Sequence, residues 1–269
     1  MATPMLMPMR RRAQAAGADI TTITTDPPGV LPGSAVQDQG EAAAGIGLLP
    51  LFAWLSPSFP VGGYAYSHGL EWAVEAGDVD REPSLLAYVT DIVDHGFPRS
   101  DAILFAHAYR AAAADDEAAL REVNELAVAL SPSAELRLET CQQGRSFLDA
   151  VTAAWPHPRL SRLAPVLEGE DVAYPVAVAL ACAVHGVPCA SAGEAFMLAQ
   201  VQALLSAALR LAPVGQTAAA RILAALSPHI ARLAGQAQAR GLDEIGTATF
   251  RADLGSFRHE TQYTRLFRS

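Results

Sequence analysis

The fold class is decided by the stretch Gly193-Glu-Ala-Phe-Met-Leu-Ala-Gln-Val-Gln-Ala-Leu-Leu-Ser-Ala-Ala-Leu-Arg-Leu211. Its apolar residues step along the chain by four, three, four and three positions, at Met197, Val201, Leu204, Ala208 and Leu211. Polar residues fall on the opposite side of the same helical projection. This spacing predicts one amphipathic α-helix that packs a narrow apolar stripe into a core.

The same spacing recurs outward from this stretch, over residues 85–93, 120–130 and 138–151. The longest apolar run, 172–184, is shorter than the roughly 20 residues that cross a bilayer, so it predicts a buried helix. No convincing alternation of β-branched residues marks a strand in this part of the chain. We therefore predict an all-α protein of about nine or ten helices in one compact domain.

Three segments differ in composition. Residues 1–47 mix proline, glycine and threonine without helical spacing and predict a flexible N-terminal extension. Residues 48–255 form the predicted helical domain. Residues 256–269, here named the C-terminal tail, are expected to extend from that domain.

Three Ser-Pro pairs supply predicted helix starts, because serine caps a first turn in which the missing N–H of proline costs nothing. They are Ser56-Pro57, Ser131-Pro132 and Ser227-Pro228. Gly241 is expected to close the helix that begins near Pro228.

The type and distribution of the charged residues exclude several classes of function. All 19 basic residues are arginine, so a Schiff-base lysine and the lysine of a nucleotide-hydrolysing P-loop are excluded. The formal charge is −9, and residues 48–250 hold 12 Arg against 22 acidic residues, a net of −10. An acidic body repels nucleic acid and anionic lipid, so neither is an expected partner. It suits a basic protein partner, or it is a solubilising surface and nothing more.

Cysteines and the N-terminus indicate the compartment. The three cysteines (Cys141, Cys182 and Cys189) form no even disulfide set and no paired motif, which favours a reducing, cytoplasmic environment. The charged start of the chain is not followed by the apolar stretch of a secretory signal. The seven histidines show no paired ligand spacing, so no metal site and no cofactor are expected.

The segment Ser56-Pro-Ser-Phe-Pro-Val-Gly-Gly-Tyr-Ala-Tyr-Ser-His-Gly-Leu-Glu71, here named the signature loop, packs prolines, glycines and aromatics between two helices. Such a loop is either a preordered recognition surface or a structural corner. Within it, Ala65-Tyr-Ser-His-Gly69 is close to the nucleophile elbow of α/β hydrolases. That elbow needs a strand before the serine, and a loop broken by proline and glycine precedes Ser67 here.

The C-terminal tail is the second unusual segment. It interleaves aromatic and aliphatic residues with arginines, a composition typical of protein-binding hot spots. Two outcomes are open: the tail folds back on the acidic body, or it docks on a partner.

These segments resemble the urease accessory protein UreF family. Its signature, Ser-Pro-x-x-Pro-Val-Gly-Gly-x-x-Tyr-Ser-x-Gly-Leu-Glu, is matched by 56–71, and its usual ending is matched by 258–268. Residues 135–145 are similar to its middle helix, and Pro213-Val-Gly-Gln216 is similar to a turn of the family. His68 and Tyr64 stand where the family often has Gln and Phe.

The resemblance implies an all-helical, homodimeric, non-catalytic chaperone for nickel insertion into apo-urease. It implies that the chain bridges UreD (also called UreH) and the GTPase UreG, and regulates that GTPase. The implied UreD/UreH-binding residues are Arg258, His259, Glu260, Thr261, Gln262, Tyr263, Arg265, Leu266, Phe267 and Arg268.

The resemblance also implies roles for two further sets of residues. The functional residues of the signature loop are Pro57, Pro60, Gly62, Gly63, Tyr64, Tyr66, Ser67, Gly69 and Glu71. The residues facing the dimer partner or UreG are Gln202, Arg210, Gly215 and Gln216. The alternative function is that of a serine esterase-like hydrolase that uses Ser67.

Overall fold

A computed structural model describes residues 47–167, 169 and 171–269, and these belong to one compact unit. They form helices and connecting turns without a strand, which confirms the all-α prediction. The predicted extension 1–47 lies outside the described residues except for Gly47. The α-helices are α1 Leu49–Trp54, α2 Leu70–Glu75, α3 Glu82–His95, α4 Phe97–Ala113, α5 Glu117–Ala129, α6 Ala134–Ala154, α7 Pro158–Leu163, α8 Tyr174–Val184, α9 Cys189–Leu211, α10 Gln216–Ala237 and α11 Phe250–His259.

Helix α8 is the centre of the fold, as the apolar run 172–184 predicts. Every residue from Pro175 to Val184 is buried, and α4, α6 and α9 surround the helix. Its first turn is anchored by side chains from two neighbours. The amide of Ala173 donates to the Asn124 side chain at 2.9 Å, and that of Tyr174 donates to the Thr140 hydroxyl at 3.1 Å. The alanines of α8 let these helices approach closely.

Two apolar clusters share the helices α4 and α9. The first surrounds α8 and includes the fully buried rings of Trp54, Phe105, Phe147 and Phe196. The second joins α2, α3 and α10 to the later part of α9, and it includes Phe267 of the C-terminal tail. The tail is therefore part of the core, and it starts inside α11.

Helix α9 extends the predicted stretch 193–211 by four residues, to Cys189. By length and composition alone it could cross a membrane, but 56% of its most apolar window is buried in the fold. A core helix of a folded domain meets the same criteria. The prediction of an amphipathic helix with a stripe facing the core is confirmed.

The predicted helix start at Pro228 is wrong. Pro228 lies inside α10, which runs unbroken from Gln216 to Ala237. Proline removes one backbone hydrogen bond, but Ser227 and Pro228 are on the exposed side, where water can satisfy the free carbonyl. Ile222 and Leu226 before the proline and Ile230 after it are buried on one face, so packing outweighs the break.

The other two Ser-Pro pairs lie in turns outside the helices. Ser56-Pro57 follows α1, where Ser56 bonds the Ser58 hydroxyl. Ser131-Pro132 precedes α6, whose cap is instead Ser133, which accepts from the Leu136 amide at 3.3 Å. Serine therefore caps α6 two residues later than predicted.

Gly144→Ala is expected to destabilise the protein by about 3 kcal/mol, because a Cβ at this position of α6 would lie 2.0 Å from the Val172 carbonyl oxygen. The three nearest atoms all belong to the backbone of residues 172–174, which leaves little room to relax. Urea unfolding followed by circular dichroism measures the change.

The matched control is Gly235→Ala, in α10, where nothing lies within 4 Å of the added methyl. It should stabilise the protein by about 0.5–1 kcal/mol through helix propensity. Equal stability of the two variants would contradict the assigned packing of α6 against the chain before α8.

Candidate functional site

The signature loop has an unusual backbone. Gly62, His68 and Gly69 have φ of 74°, 55° and 76°, in the left-handed region. A Cβ on Gly69 would lie 3.2 Å from the Ser256 amide nitrogen, so α11 packs directly on the loop. Glycine at position 69 is thus required both by its backbone angles and by this close approach.

Glu71, the last residue of the loop and in the first turn of α2, is buried with 7% of its surface exposed. Its carboxylate accepts hydrogen bonds from the Leu266 amide at 2.7 Å and the Phe267 amide at 2.9 Å. A third partner is His259 Nε2, at 3.0 Å. Each donor comes from the C-terminal tail, so Glu71 holds the tail against the domain.

His259, at the end of α11, is fully buried between two carboxylates. Its Nδ1 lies 2.6 Å from Glu135 Oε2 on α6, and its Nε2 faces Glu71. The other Glu135 oxygen accepts from the Arg265 guanidinium at 2.6 Å. We name Glu71, Glu135, His259 and Arg265 the tail clamp. It joins α2, α6, α11 and the tail in one ionic cluster.

The last residues close over the signature loop. The Arg268 amide donates to the Ala65 carbonyl at 2.8 Å, and the Ser67 amide donates to the Ser269 carbonyl at 2.8 Å. The Ser269 hydroxyl donates to Glu139 at 2.5 Å. Of the two outcomes open from sequence, the tail therefore folds back on the body.

Arg210 covers the end of the tail from α9. Its guanidinium lies 4.2 Å from the centre of the Phe267 ring, which is buried, and it donates to the Tyr64 carbonyl. Burial lowers the pKa of Arg210, which nevertheless stays charged, as arginine does in proteins. The residue predicted for a dimer or UreG-facing surface therefore also contacts the tail and the signature loop.

The predicted binding residues of the tail fall into a buried set and an exposed set. His259, Gln262 and Phe267 are buried, so they hold the tail and cannot reach a partner while it is closed. The remaining predicted residues are exposed: Arg258, Glu260, Thr261, Tyr263, Arg265, Leu266 and Arg268.

The outward side of α11 and the tail is apolar. Phe250, Leu254 and Phe257 are exposed on one face of α11, and Tyr263 and Leu266 are exposed beyond it. We name these five residues the tail surface. Phe250 and Leu254 were missed from sequence, although their spacing with Phe257 (four and three residues) is the signal of a helix face.

The predicted residues of the signature loop also divide. Tyr66, Ser67, Gly69 and Glu71 are buried, and the Tyr66 hydroxyl bonds Gln142 of α6. Tyr64, Pro57 and Pro60 are exposed, with Gly62 and Gly63 half-buried. The loop thus has a structural side against α6 and α11 and an exposed side that can meet a partner.

The environment of Ser67 does not resemble a hydrolase site. The side chain is 1% exposed, and its hydroxyl donates to the Ser269 carbonyl and accepts from the Glu71 amide. None of the described histidines bonds it, and a turn without a strand precedes it. The arrangement lacks the base and the approach that a nucleophilic serine needs.

The other residues predicted for a dimer or UreG-facing surface are also exposed. Gln202 is exposed on α9, and Gly215 and Gln216 are exposed where α10 begins. Between the two helices, Ala212 adopts φ of 63° as the left-handed cap of α9 and turns the chain.

A cavity of about 170 Å³ lies beside this surface, lined by exposed and buried residues of the signature loop, α6 and α9. On its wall, Gln200 Nε2 donates to Asp101 at 2.6 Å, while Gln200 Oε1 is buried without a partner. Burial raises the pKa of Asp101 to about 7, against the opposing effect of His68. Across the described residues, no group of three or more His, Cys, Asp or Glu is arranged to hold a metal ion.

Comparison with known proteins gives one family. The sequence profile of the UreF family matches residues 79–227. A urease accessory protein UreF from Xanthobacter autotrophicus is 66% identical over 237 residues, covering 88% of this chain and 97% of its own length. One from Azorhizobium caulinodans is 63% identical over 229 residues, covering 85% and 98%.

Asp101→Asn is expected to reduce the pH dependence of stability. Because the native pKa of Asp101 is raised, its contribution is complete below about pH 3.8 and is lost as the pH rises towards 7. From pH 5 to pH 8 the wild-type unfolding free energy should fall by about 2 kcal/mol more than that of the variant.

Urea unfolding at the two pH values gives this difference. Asp149→Asn, on α6, is the control and should follow the wild type. An equal pH response of wild type and Asp101→Asn would contradict the assigned burial.

Proposed function

The chain belongs to the UreF family of urease accessory proteins, and on that premise we propose that it acts without catalysis in the insertion of nickel into apo-urease. Its task is to hold UreD/UreH and the GTPase UreG in one complex and to regulate the GTPase. GTP and nickel chemistry belong to its partners. The resemblance of the signature loop and the tail supports this assignment.

The observation that carries the proposal is the tail surface. Five apolar side chains are exposed together on α11 and the closed tail, while residues between them are buried in the core. Monomeric proteins rarely leave such a group of large apolar side chains to solvent, and contiguous patches of this kind mark interaction sites. The flanking arginines, Arg258, Arg265 and Arg268, supply further anchors. We assign this surface to UreD/UreH.

A second surface is needed for bridging. Gln202, Arg210, Gly215 and Gln216 are assigned to the dimer partner or to UreG. Arg210 belongs to this surface and also rests on Phe267 of the tail. Binding of a partner at one surface can therefore affect the other surface through the Arg210 side chain.

The remaining assignments follow the same premise. The protein is proposed to act in the cytoplasm, which agrees with its three free cysteines in the described residues. It is proposed to work as a homodimer, without a cofactor or resident metal, and without nucleic acid or membrane as partner. The buried Ser67 hydroxyl, bonded to the tail, supports a structural role for this residue in place of the esterase alternative.

The double variant Tyr263→Ala with Leu266→Ala should weaken binding to the UreD/UreH protein of the same organism by at least about tenfold, because it removes exposed anchors and leaves the tail clamp intact. Isothermal titration calorimetry with the full chain measures the affinity.

The matched control is Leu138→Ala, an exposed apolar residue of α6 outside the tail surface. Its affinity should equal that of the wild type. Unchanged binding by the double variant would reject the assignment of the tail surface.

Gln202→Arg decides between the two roles offered for the second surface. Sedimentation of the wild type should give twice the mass of 28.3 kDa. If the variant sediments as a monomer, this face forms the dimer; if it stays dimeric and loses UreG, this face binds UreG. Ala231→Arg, exposed on α10, controls for added charge. A Gln202→Arg variant that stays dimeric and still binds UreG would reject both roles.

A further inference from the structure

The tail clamp fixes the protonation of its histidine through hydrogen-bond geometry. Glu71 accepts backbone N–H groups on both of its oxygens, and Glu135 accepts Arg265, so both carboxylates also have other donors. His259 faces one carboxylate with each ring nitrogen, at 2.6 and 3.0 Å. A carboxylate only accepts, so the two hydrogen bonds of the ring form together only when both nitrogens carry a proton. The geometry therefore fits an imidazolium.

The charges around His259 balance in this state. Glu71 and Glu135 contribute two negative charges, and His259 and Arg265 contribute two positive charges. A neutral histidine would leave one carboxylate facing a ring nitrogen without a proton, and the ring itself is fully buried from water. Loss of the proton should therefore destabilise the closed tail more than it would destabilise an exposed pair, which water could solvate.

Other titratable groups lie further out on each packed element. They are Glu75 on α2, Glu139 on α6, His68 in the signature loop, Asp253 and Arg258 on α11, and Glu260 directly after α11. Glu139 is 3.5 Å from His68 and bonds Ser269, Glu75 bonds Gln262, and Glu260 accepts from the Ala134 amide. Each of these carboxylates has its own donor, and none bonds His259.

We propose that closure of the tail takes up one proton, held by His259, so that the order of the tail depends on pH. The tail surface includes Tyr263 and Leu266, which the closed tail positions. A consequence for partner binding rests on the proposed function, whereas the proton uptake itself does not.

The sign follows from linkage. An exposed histidine is half protonated near pH 6.5. Closure favours the protonated form, so its contribution is complete below about pH 6.5 and is lost as the pH rises. The ratio of closed to open tail should fall by up to about tenfold per pH unit in that range.

Amide hydrogen exchange in the isolated full chain tests the proposal. The Leu266 and Phe267 amides donate to Glu71, so their protection reports closure directly. After correction for the intrinsic exchange rate, their protection should fall at least tenfold between pH 6.5 and 8.5. Amides of α8 should keep theirs. Flat protection of the two tail amides would overturn the proposal.

Two histidine variants locate the proton. His259→Gln should remove the pH dependence of the tail amides. His229→Gln is the control, because the His229 ring pairs with Asp94 and not with a residue of the tail. This variant should keep the wild-type pH dependence of the tail amides. Persistence of the pH dependence in His259→Gln would overturn the proposal.

A spectroscopic measurement covers the case in which His259→Gln never closes its tail. The ¹⁵N shifts of the wild-type His259 ring at pH 7.5 should show both nitrogens protonated, and a neutral ring in a closed tail would overturn the proposal.

The Tyr263→Ala, Leu266→Ala double variant distinguishes failure of this proposal from failure of the proposed function. Unchanged partner binding by that variant rejects the proposed function, and pH-dependent protection would still support proton uptake.

Discussion

The Glu71 carboxylate is the group on which the order of the last ten residues depends. A buried carboxylate is stable only if it is hydrogen-bonded, and three of the donors to Glu71 come from residues 259–267. In turn, the tail fills the second apolar cluster with Phe267 and covers the signature loop. The signature loop and the C-terminal tail therefore form one structural unit, although about 190 residues separate them.

The closed tail has a buried side and an exposed side. Its buried residues (His259, Gln262 and Phe267) pack against the body, and its other predicted residues are exposed to solvent. Arg210 then connects this unit to the turn between α9 and α10. The tail and the signature loop are therefore both in contact with the last turn of α9.

Much of the fold follows from spacing alone, and the exceptions have physical causes. The stripe in α9 and the apolar run of α8 predicted their helices, because local periodicity reports burial. Pro228 predicted a helix start and was wrong, because packing on the opposite face of α10 holds the helix together. Glu71 was predicted only as a functional residue of the signature loop, and its contacts could not be predicted because its partners, as far away as Phe267, are joined to it by tertiary structure.

The burial of the tail clamp separates it from the exposed ion pairs of the protein. The exposed pair of Glu82 and Arg221 loses strength when dissolved ions screen it, since the Debye length is only about 3 Å at 1 M salt. In the clamp, His259 is fully buried and Glu71 is buried beside it, so counterions gain little by approaching this pair. High ionic strength should therefore loosen the periphery of the molecule while the tail remains seated.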